Sequence, residues 1–463
     1  MTDRIEIISP VDGSVYATRP YTSQAEVEAV LSQARAVQAE WASVAIAERA
    51  RLALAAVDAM LAMREEIVPE LAWQMGRPVR FGGGELGGFE ERARHMIAIA
   101  EDALAPLEPE PKEGFRRYIK REPLGVVLVI APWNYPYLTA VNSVIPALMA
   151  GNAVILKHAG QTLLVGERFE AAMAAAGLPE GLFANLVLSH DQTAAIIGSG
   201  RVDQVNFTGS VAGGQAMERA AAGTFAGLGL ELGGKDPAYV RSDADLGHAV
   251  ENLVDGAFFN SGQSCCGIER IYVHGDKFDA FVDGFAALTR EYVLGSPLDA
   301  ETTLGPMVKA SAAKFVAGQI DDAVRQGAKP LVDPAGFDRH EPGTPYMAPQ
   351  VLIDVNHQMA VMREESFGPV VGIMQVADDD EAITLMNDSP FGLTASIWTA
   401  DLDAAERIGD AVETGTVFMN RCDYLDPALA WTGVKDTGRG ATLSKVGYET
   451  LTRPKSYHLR HAI

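Results

Sequence analysis

Four short segments of this 463-residue chain carry side chains able to do chemistry together. The first is Gly262-Gln263-Ser264-Cys265, at the end of an apolar, helix-like run from Leu253 to Phe259. A thiol between small residues can be approached closely, and nearby backbone N–H dipoles stabilise its thiolate, so Cys265 is a candidate nucleophile. Cys265 and Cys266 also read as a pair of small buried apolar side chains, since free cysteine is often inert core. The second segment is Glu231-Leu232-Gly233-Gly234-Lys235. Its carboxylate, followed by glycines, is either an adjustable general base or the partner of Lys235 at a domain boundary. The third, Pro132-Trp133-Asn134-Tyr135-Pro136, directly follows the strand-like Gly125–Ile130. An Asn134 amide beyond a strand end can donate to an oxyanion, although two flanking prolines would also suit a purely structural turn. The fourth is Phe207-Thr208-Gly209-Ser210 with Gly213-Gly214, a turn that opens a helix. Backbone donors there suit a pyrophosphate, without forming the G-x-G-x-x-G fingerprint. Lys157, at a further strand end, reads as a ribose or phosphate contact or as solvated surface.

Those segments need a scaffold, and the hydrophobic periodicity supplies one. From Ser23 to Leu104 apolar residues recur at steps of three and four, as in Glu26–Ala39 and Ala47–Met63, and Ser23 with Glu26 has capping-box spacing. Gly82-Gly83-Gly84 interrupts this pattern with no strand before it and reads as a flexible loop. Pro106 to Glu113 reads as an exposed linker, and Arg116–Arg121 alternates like a strand leaving the main body. Then come strand candidates Gly125–Ile130, Ala153–Leu156, Ala184–Leu188 and Val205–Phe207, with helices Gln161–Ala176 and Gly213–Ala222 between them. Strands spaced by helices imply parallel βαβ units in a doubly wound sheet. A similar alternation from Ala238 to about Phe418 predicts a second α/β domain.

Composition narrows the partners. With 48% hydrophobic and 21% charged residues the chain is expected to be globular, and its length calls for two or three domains. A net charge of −23 disfavours nucleic acid and anionic membranes, but leaves room for an anionic cofactor held by local donors. No stretch reaches the roughly 18–20 apolar residues of a membrane span. The start at Met1-Thr2-Asp3-Arg4 lacks the pattern of a secretory signal, and three cysteines cannot build a disulfide framework, so a cytoplasmic location is expected. Nine scattered histidines without ligand spacing predict no metal site.

Taken in this order, the motifs resemble the aldehyde dehydrogenase superfamily over nearly the whole chain. Phe258-x-Asn260-x-Gly262-Gln263-x-Cys265 is similar to its nucleophile signature, and Glu231 to Lys235 to its general-base signature. Glu364-Glu365-Ser366-Phe367-Gly368-Pro369 resembles the segment that holds the nicotinamide ribose. The resemblance implies an α/β fold of two doubly wound parallel-sheet domains with a small β oligomerisation extension. Residues 1–110 and 124–232 would bind the dinucleotide, 233–440 would form the catalytic domain, and 111–123 and 441–463 would bridge subunits. It implies NAD or NADP as cofactor, a small aldehyde as substrate, and a homodimer or homotetramer, with Arg116–Arg121 and Ser456–Arg460 pairing between subunits. Cys265 would attack the aldehyde, Asn134 and the Cys265 N–H would hold the oxyanion, and Glu231 would activate the hydrolytic water. Lys157 and Glu365 would bind the riboses, Gly209, Ser210 and Gly214 the pyrophosphate region, with Phe367 and Trp133 also at the cofactor. An enzyme passing its acyl group to coenzyme A or phosphate, or a silent homologue, are the alternatives; Glu231 argues against the first.

Departures from the family pattern carry their own expectations. The run Lys157-His158-Ala159-Gly160 lacks the Glu that many NAD-preferring members place three residues after the Lys, which predicts that NADP is accepted. Ser143 and Arg453 stand where relay residues of other members would be. Ala430-Trp431-Thr432-Gly433 replaces a common Pro-Phe-Gly-Gly segment. Just upstream, Asp423 and Asp426 would favour a cationic aminoaldehyde, whereas Arg421 would favour a semialdehyde carboxylate, unless the loop is simply a solvated or subunit-contact face.

Overall fold

The computed structural model describes residues 4–462; Met1–Asp3 and Ile463, at the ends of two expected segments, lie outside it. After a hairpin of Arg4–Ile8 and Val15–Pro20 come four helices, Gln24–Trp41, Ile46–Ala62, Arg64–Met75 and Val79–Ala103. Ser23 and Glu26 form the expected reciprocal capping box. Gly82-Gly83-Gly84 is not a loop but part of the Val79–Ala103 helix. Burial of Leu86, Phe89, Ala93, Met96 and Ala100 along one face outweighs the poor helix propensity of glycine. Gly82 and Gly88 serve close packing: a Cβ on Gly82 would lie 2.8 Å from Val68 Cγ1, and one on Gly88 2.4 Å from Leu138 Cδ2.

The first sheet runs in the order Gly438–Arg439, Gly227–Glu231, Gln204–Thr208, Val126–Ala131, Ala153–His158, Phe183–Asn185. All but the two-residue Gly438–Arg439 edge are parallel. Val126–Ala131 is buried along its whole length, as expected of a strand covered on both faces. The chain winds outward from it to Phe183–Asn185, then returns to its other side at Gln204–Thr208. This reversal opens a crevice beyond the carboxyl ends of the two strands, where doubly wound sheets bind ligands.

Five residues beyond Glu231, Asp236 begins the second sheet, ordered Lys329–Pro330, Gln350–Ile353, Val370–Val376, Ile268–His274, Asp236–Val240, Thr394–Trp398, Thr416–Met419. It too is parallel apart from a two-residue edge, Lys329–Pro330. Phe115–Pro123 pairs antiparallel with Thr452–Arg460 of the same chain, forming a separate ribbon on which Tyr118 and Tyr457 stack at 4.5 Å. Among the described residues no helix is long and apolar enough to cross a membrane.

Candidate active site

Four carboxyl ends of the first sheet carry predicted residues side by side. Ala131 lies opposite His158, and Thr208 opposite Glu231. Glu231 ends its strand with each carboxylate oxygen occupied: Thr442 Oγ1 donates to Oε1 at 2.5 Å and Thr208 Oγ1 to Oε2 at 3.1 Å. Burial raises its pKa, and the two hydroxyls and the Arg92 charge oppose that rise. Lys235 is not its partner. That ammonium is buried against Glu269, whose carboxylate also accepts from the Ser366 and Phe367 N–H groups at 2.8 and 2.9 Å.

Cys265 is placed by a strained turn. The helix Leu246–Phe258, capped by Asp245, ends in Asn260, Ser261 and Gly262, all left-handed with φ of 54°, 57° and 68°. Such backbone is costly outside glycine and persists only where neighbours fix it. Here Asn260 Nδ2 donates to the Asn134 and Gln263 carbonyls at 3.2 and 3.1 Å, and Ser261 Oγ to the Gly305 carbonyl at 2.7 Å. At Gly262 any Cβ would meet the Gly368 carbonyl oxygen at 2.3 Å. Arg77 ties this turn to the Asn134 loop: Nη2 donates to the Asn134 carbonyl at 2.6 Å and Nε to Asn260 Oδ1 at 3.3 Å, while Glu85 neutralises the guanidinium. Glu85 in turn accepts from the Tyr137 and Leu138 N–H groups, which open the next helix.

Cys265 and Glu231 line one cavity of about 410 Å³. Asn134 is 4% exposed and does not line it; its Nδ2 donates to the Gln263 carbonyl at 3.1 Å, two residues before Cys265. Cys266 is the buried member of the pair, 2.8 Å from Asp423 Oδ1. The adjacent Cys265 sulfur, then burial, push the Cys266 thiol well above its ordinary range. Burial moves Asp423 up to about 6.

The expected cofactor residues fall into three groups. Trp133 and Phe367 meet edge to face at 5.6 Å, and the Gly234 N–H donates to Glu365 Oε1 at 3.0 Å. Burial raises Glu365 to about 7. Lys157 stands half-buried at its strand end, its pKa lowered by burial. Ser210 is exposed and caps the helix Val211–Ala221, with Gly209 just before it. Gly214 has a packing reason of its own, because a Cβ there would lie 2.7 Å from Leu232 Cδ1.

Several groups escaped the sequence reading. Thr208 and Thr442 around Glu231, and Arg77 with Glu85 beneath the Asn134 loop, become visible only when distant segments meet. The loop at Asn420–Asp426 is divided: Asp423 lines the cavity but accepts from Cys266 and Ser264, while Asp426 caps Ala428 and Arg421 lies over the Tyr424 ring, neither lining it. Ser143 accepts from Asn206 Nδ2 at 3.1 Å, and Arg453 sits exposed on the ribbon 3.9 Å from Glu122.

The aldehyde dehydrogenase family model matches residues 1–457. Succinate-semialdehyde dehydrogenase (NADP+) of Mycolicibacterium paratuberculosis is 35% identical over 98% of this chain and 96% of its own. Among solved structures, succinate-semialdehyde dehydrogenase from Burkholderia pseudomallei superposes with a TM-score of 0.94 at 30% identity, over 99% and 94% of the two chains. NAD-dependent aldehyde dehydrogenase from Sinorhizobium meliloti gives 0.94 at 31%, over 99% and 92%. A full-length match, with the same α/β architecture, leads to one conclusion: this chain belongs to the aldehyde dehydrogenase family.

Proposed function

We propose that this chain oxidises a small aldehyde to its carboxylic acid with NAD(P)+, through a thiohemiacetal and then a thioester on Cys265. One observation carries the reading: Cys265 and Glu231 line the same cavity, with the Asn134 amide pinned two residues before the sulfur. The Cys265 thiolate adds to the aldehyde carbon, and the carbonyl oxygen becomes an alkoxide. The second Asn134 N–H and the Cys265 backbone N–H hold that oxyanion. Bound NAD(P)+ supplies the hydride acceptor; hydride loss from the substrate carbon leaves the thioester. Glu231 takes a proton from water, hydroxide adds to the acyl carbon, and collapse of that adduct releases acid and thiolate. A carboxylate raised by burial is better matched to this task than a free one.

The cofactor fits the residues present. Lys157 would meet the riboses, Gly209 and Ser210 would offer a pyrophosphate an exposed helix N-terminus, and Glu365, Phe367 and Trp133 would take the nicotinamide end. His158 does not compete for it: its Nε2–H is 3.2 Å from the Pro136 carbonyl and burial lowers its pKa to about 4. No carboxylate in this run repels a 2′-phosphate, so NADP+ is used as well as NAD+, in keeping with the NADP+-named and NAD-named relatives. Subunits pair through the Phe115–Pro123 and Thr452–Arg460 ribbon in a homodimer or homotetramer. Water is the acyl acceptor, because a buried base is idle when coenzyme A or phosphate takes the group.

The test is reduced-cofactor formation from a panel of small aldehydes, with succinate semialdehyde first because two relatives are named for it. The parent should reduce NADP+ and release free acid without coenzyme A or phosphate, and Cys265→Ala should be inactive. A Cys265→Ala variant matching the parent would refute the mechanism.

A further inference from the structure

One wall of the cavity carries a cation with no ion-pair partner among the described residues. Arg92, on the Val79–Ala103 helix, is 8% exposed and lines the same cavity as Cys265. Its Nη1 donates to the Leu138 carbonyl at 2.8 Å and leans on Asn142 Oδ1 at 3.4 Å. Among the described residues no acceptor meets its Nε or Nη2, and no carboxylate lies within ion-pair distance. Asn142 also lines the cavity, is 2% exposed, and its Nδ2 is buried without any partner. The free Arg92 donors and the buried, partnerless Asn142 amide beside them are a standing cost, since unpaired buried donors and charges are expensive.

The carboxylates around the cavity do not supply what is missing. Glu85 is paired with Arg77, and Asp423 accepts from Cys266 and Ser264. Glu91 is exposed and accepts from the Tyr424 hydroxyl, and Asp255 is exposed. Glu231, the remaining carboxylate of the cavity, feels the Arg92 charge but makes no ion pair with it, its two oxygens being taken by Thr442 and Thr208. Arg92 is therefore a cavity cation that no carboxylate contacts. We propose that Arg92, with the Asn142 amide beside it, anchors the distal carboxylate of an ω-carboxy aldehyde while Cys265 attacks the aldehyde end. This rests on the aldehyde-oxidising reading above and adds to it the substrate class and the residue that selects it. Arg421, the other candidate cation, is withdrawn from the cavity onto Tyr424.

The experiment compares succinate semialdehyde with butanal, equal in carbon number but uncharged, in the parent, Arg92→Gln and Arg92→Lys. The parent should prefer the semialdehyde, and succinate should compete with butanal. In Arg92→Gln the ratio of the two kcat/KM values should fall about 30- to 100-fold, the cost of losing a buried charge pair. Using the ratio cancels any effect of the substitution on Glu231. Arg92→Lys should fall between, keeping the charge without the planar fork. A ratio unmoved in Arg92→Gln, or both activities falling together, overturns the anchor. So does a parent that prefers butanal and ignores succinate, a result that stands even if Arg92→Gln does not fold. Turnover of butanal without that preference overturns the anchor alone, whereas no turnover of any aldehyde overturns the oxidation itself.

Discussion

Glu231 illustrates how single residues set this site's chemistry. Burial pushes its carboxyl pKa up, and the Thr442 and Thr208 hydroxyls pull it back by hydrogen-bonding the ionised form. Replacing Thr442 with Val removes one such donor, so the pKa rises further and the base is protonated at higher pH. The acidic limb of the kcat profile, measured where thioester hydrolysis limits the rate, should therefore move upward by about one pH unit, the worth of one hydrogen bond to a charged group. An unmoved limb would mean that Glu231 is not the titrating base. At this scale the sequence offers candidates and is silent about their environment. Cys265, Glu231 and Asn134 stand in motifs short enough to recognise, but Thr442 lies far from Glu231 in the chain, and no local pattern marks a hydroxyl as its partner.

The elements that hold these residues were legible wherever periodicity was unbroken. The buried strands Val126–Ala131 and Ala153–His158 stand within a residue or two of the expected runs, because a β-branched stretch between turns has few other fates. The Val79–Ala103 helix was obscured by its glycines, and at Gly82 and Gly88 their effect is tertiary: they leave room for Val68 and Leu138. Two substitutions separate packing from propensity. Gly87 is exposed with nothing near its missing Cβ, so Gly87→Ala should stabilise by about 0.5–1 kcal/mol. Gly88→Ala drives a methyl into Leu138 and should destabilise by about 1–3 kcal/mol. Thermal unfolding of the two variants checks both signs, and equal shifts would contradict this packing. A further loop depends on a buried ion pair. Glu269→Gln leaves the Lys235 ammonium unpaired and should cost about 3–5 kcal/mol, and it loosens the Ser366–Phe367 backbone, so the cofactor KM should rise.

Across the whole molecule, the two sheets are joined by only four residues between Glu231 and Asp236, so the end of one sheet and the start of the other share a site by construction. What no sequence pattern specified was that Thr452–Arg460 returns to Phe115–Pro123 of its own chain, since a nine-residue exposed strand carries no mark of its partner. Comparable kcat/KM with NADP+ and NAD+ is expected from the dinucleotide crevice, and strict use of NAD+ would contradict that reading of Lys157 to Gly160. Sedimentation should give a dimer or tetramer; a monomer would remove the role assigned to the ribbon. The claim on which the account depends is a covalent acyl group on one particular sulfur. Glu231→Gln, mixed with NADP+ and the preferred aldehyde and then acid-quenched, should show by peptide mass spectrometry an acyl adduct on Cys265, together with one equivalent of NADPH. Reduced cofactor with no adduct, or an adduct on Cys266, would contradict it.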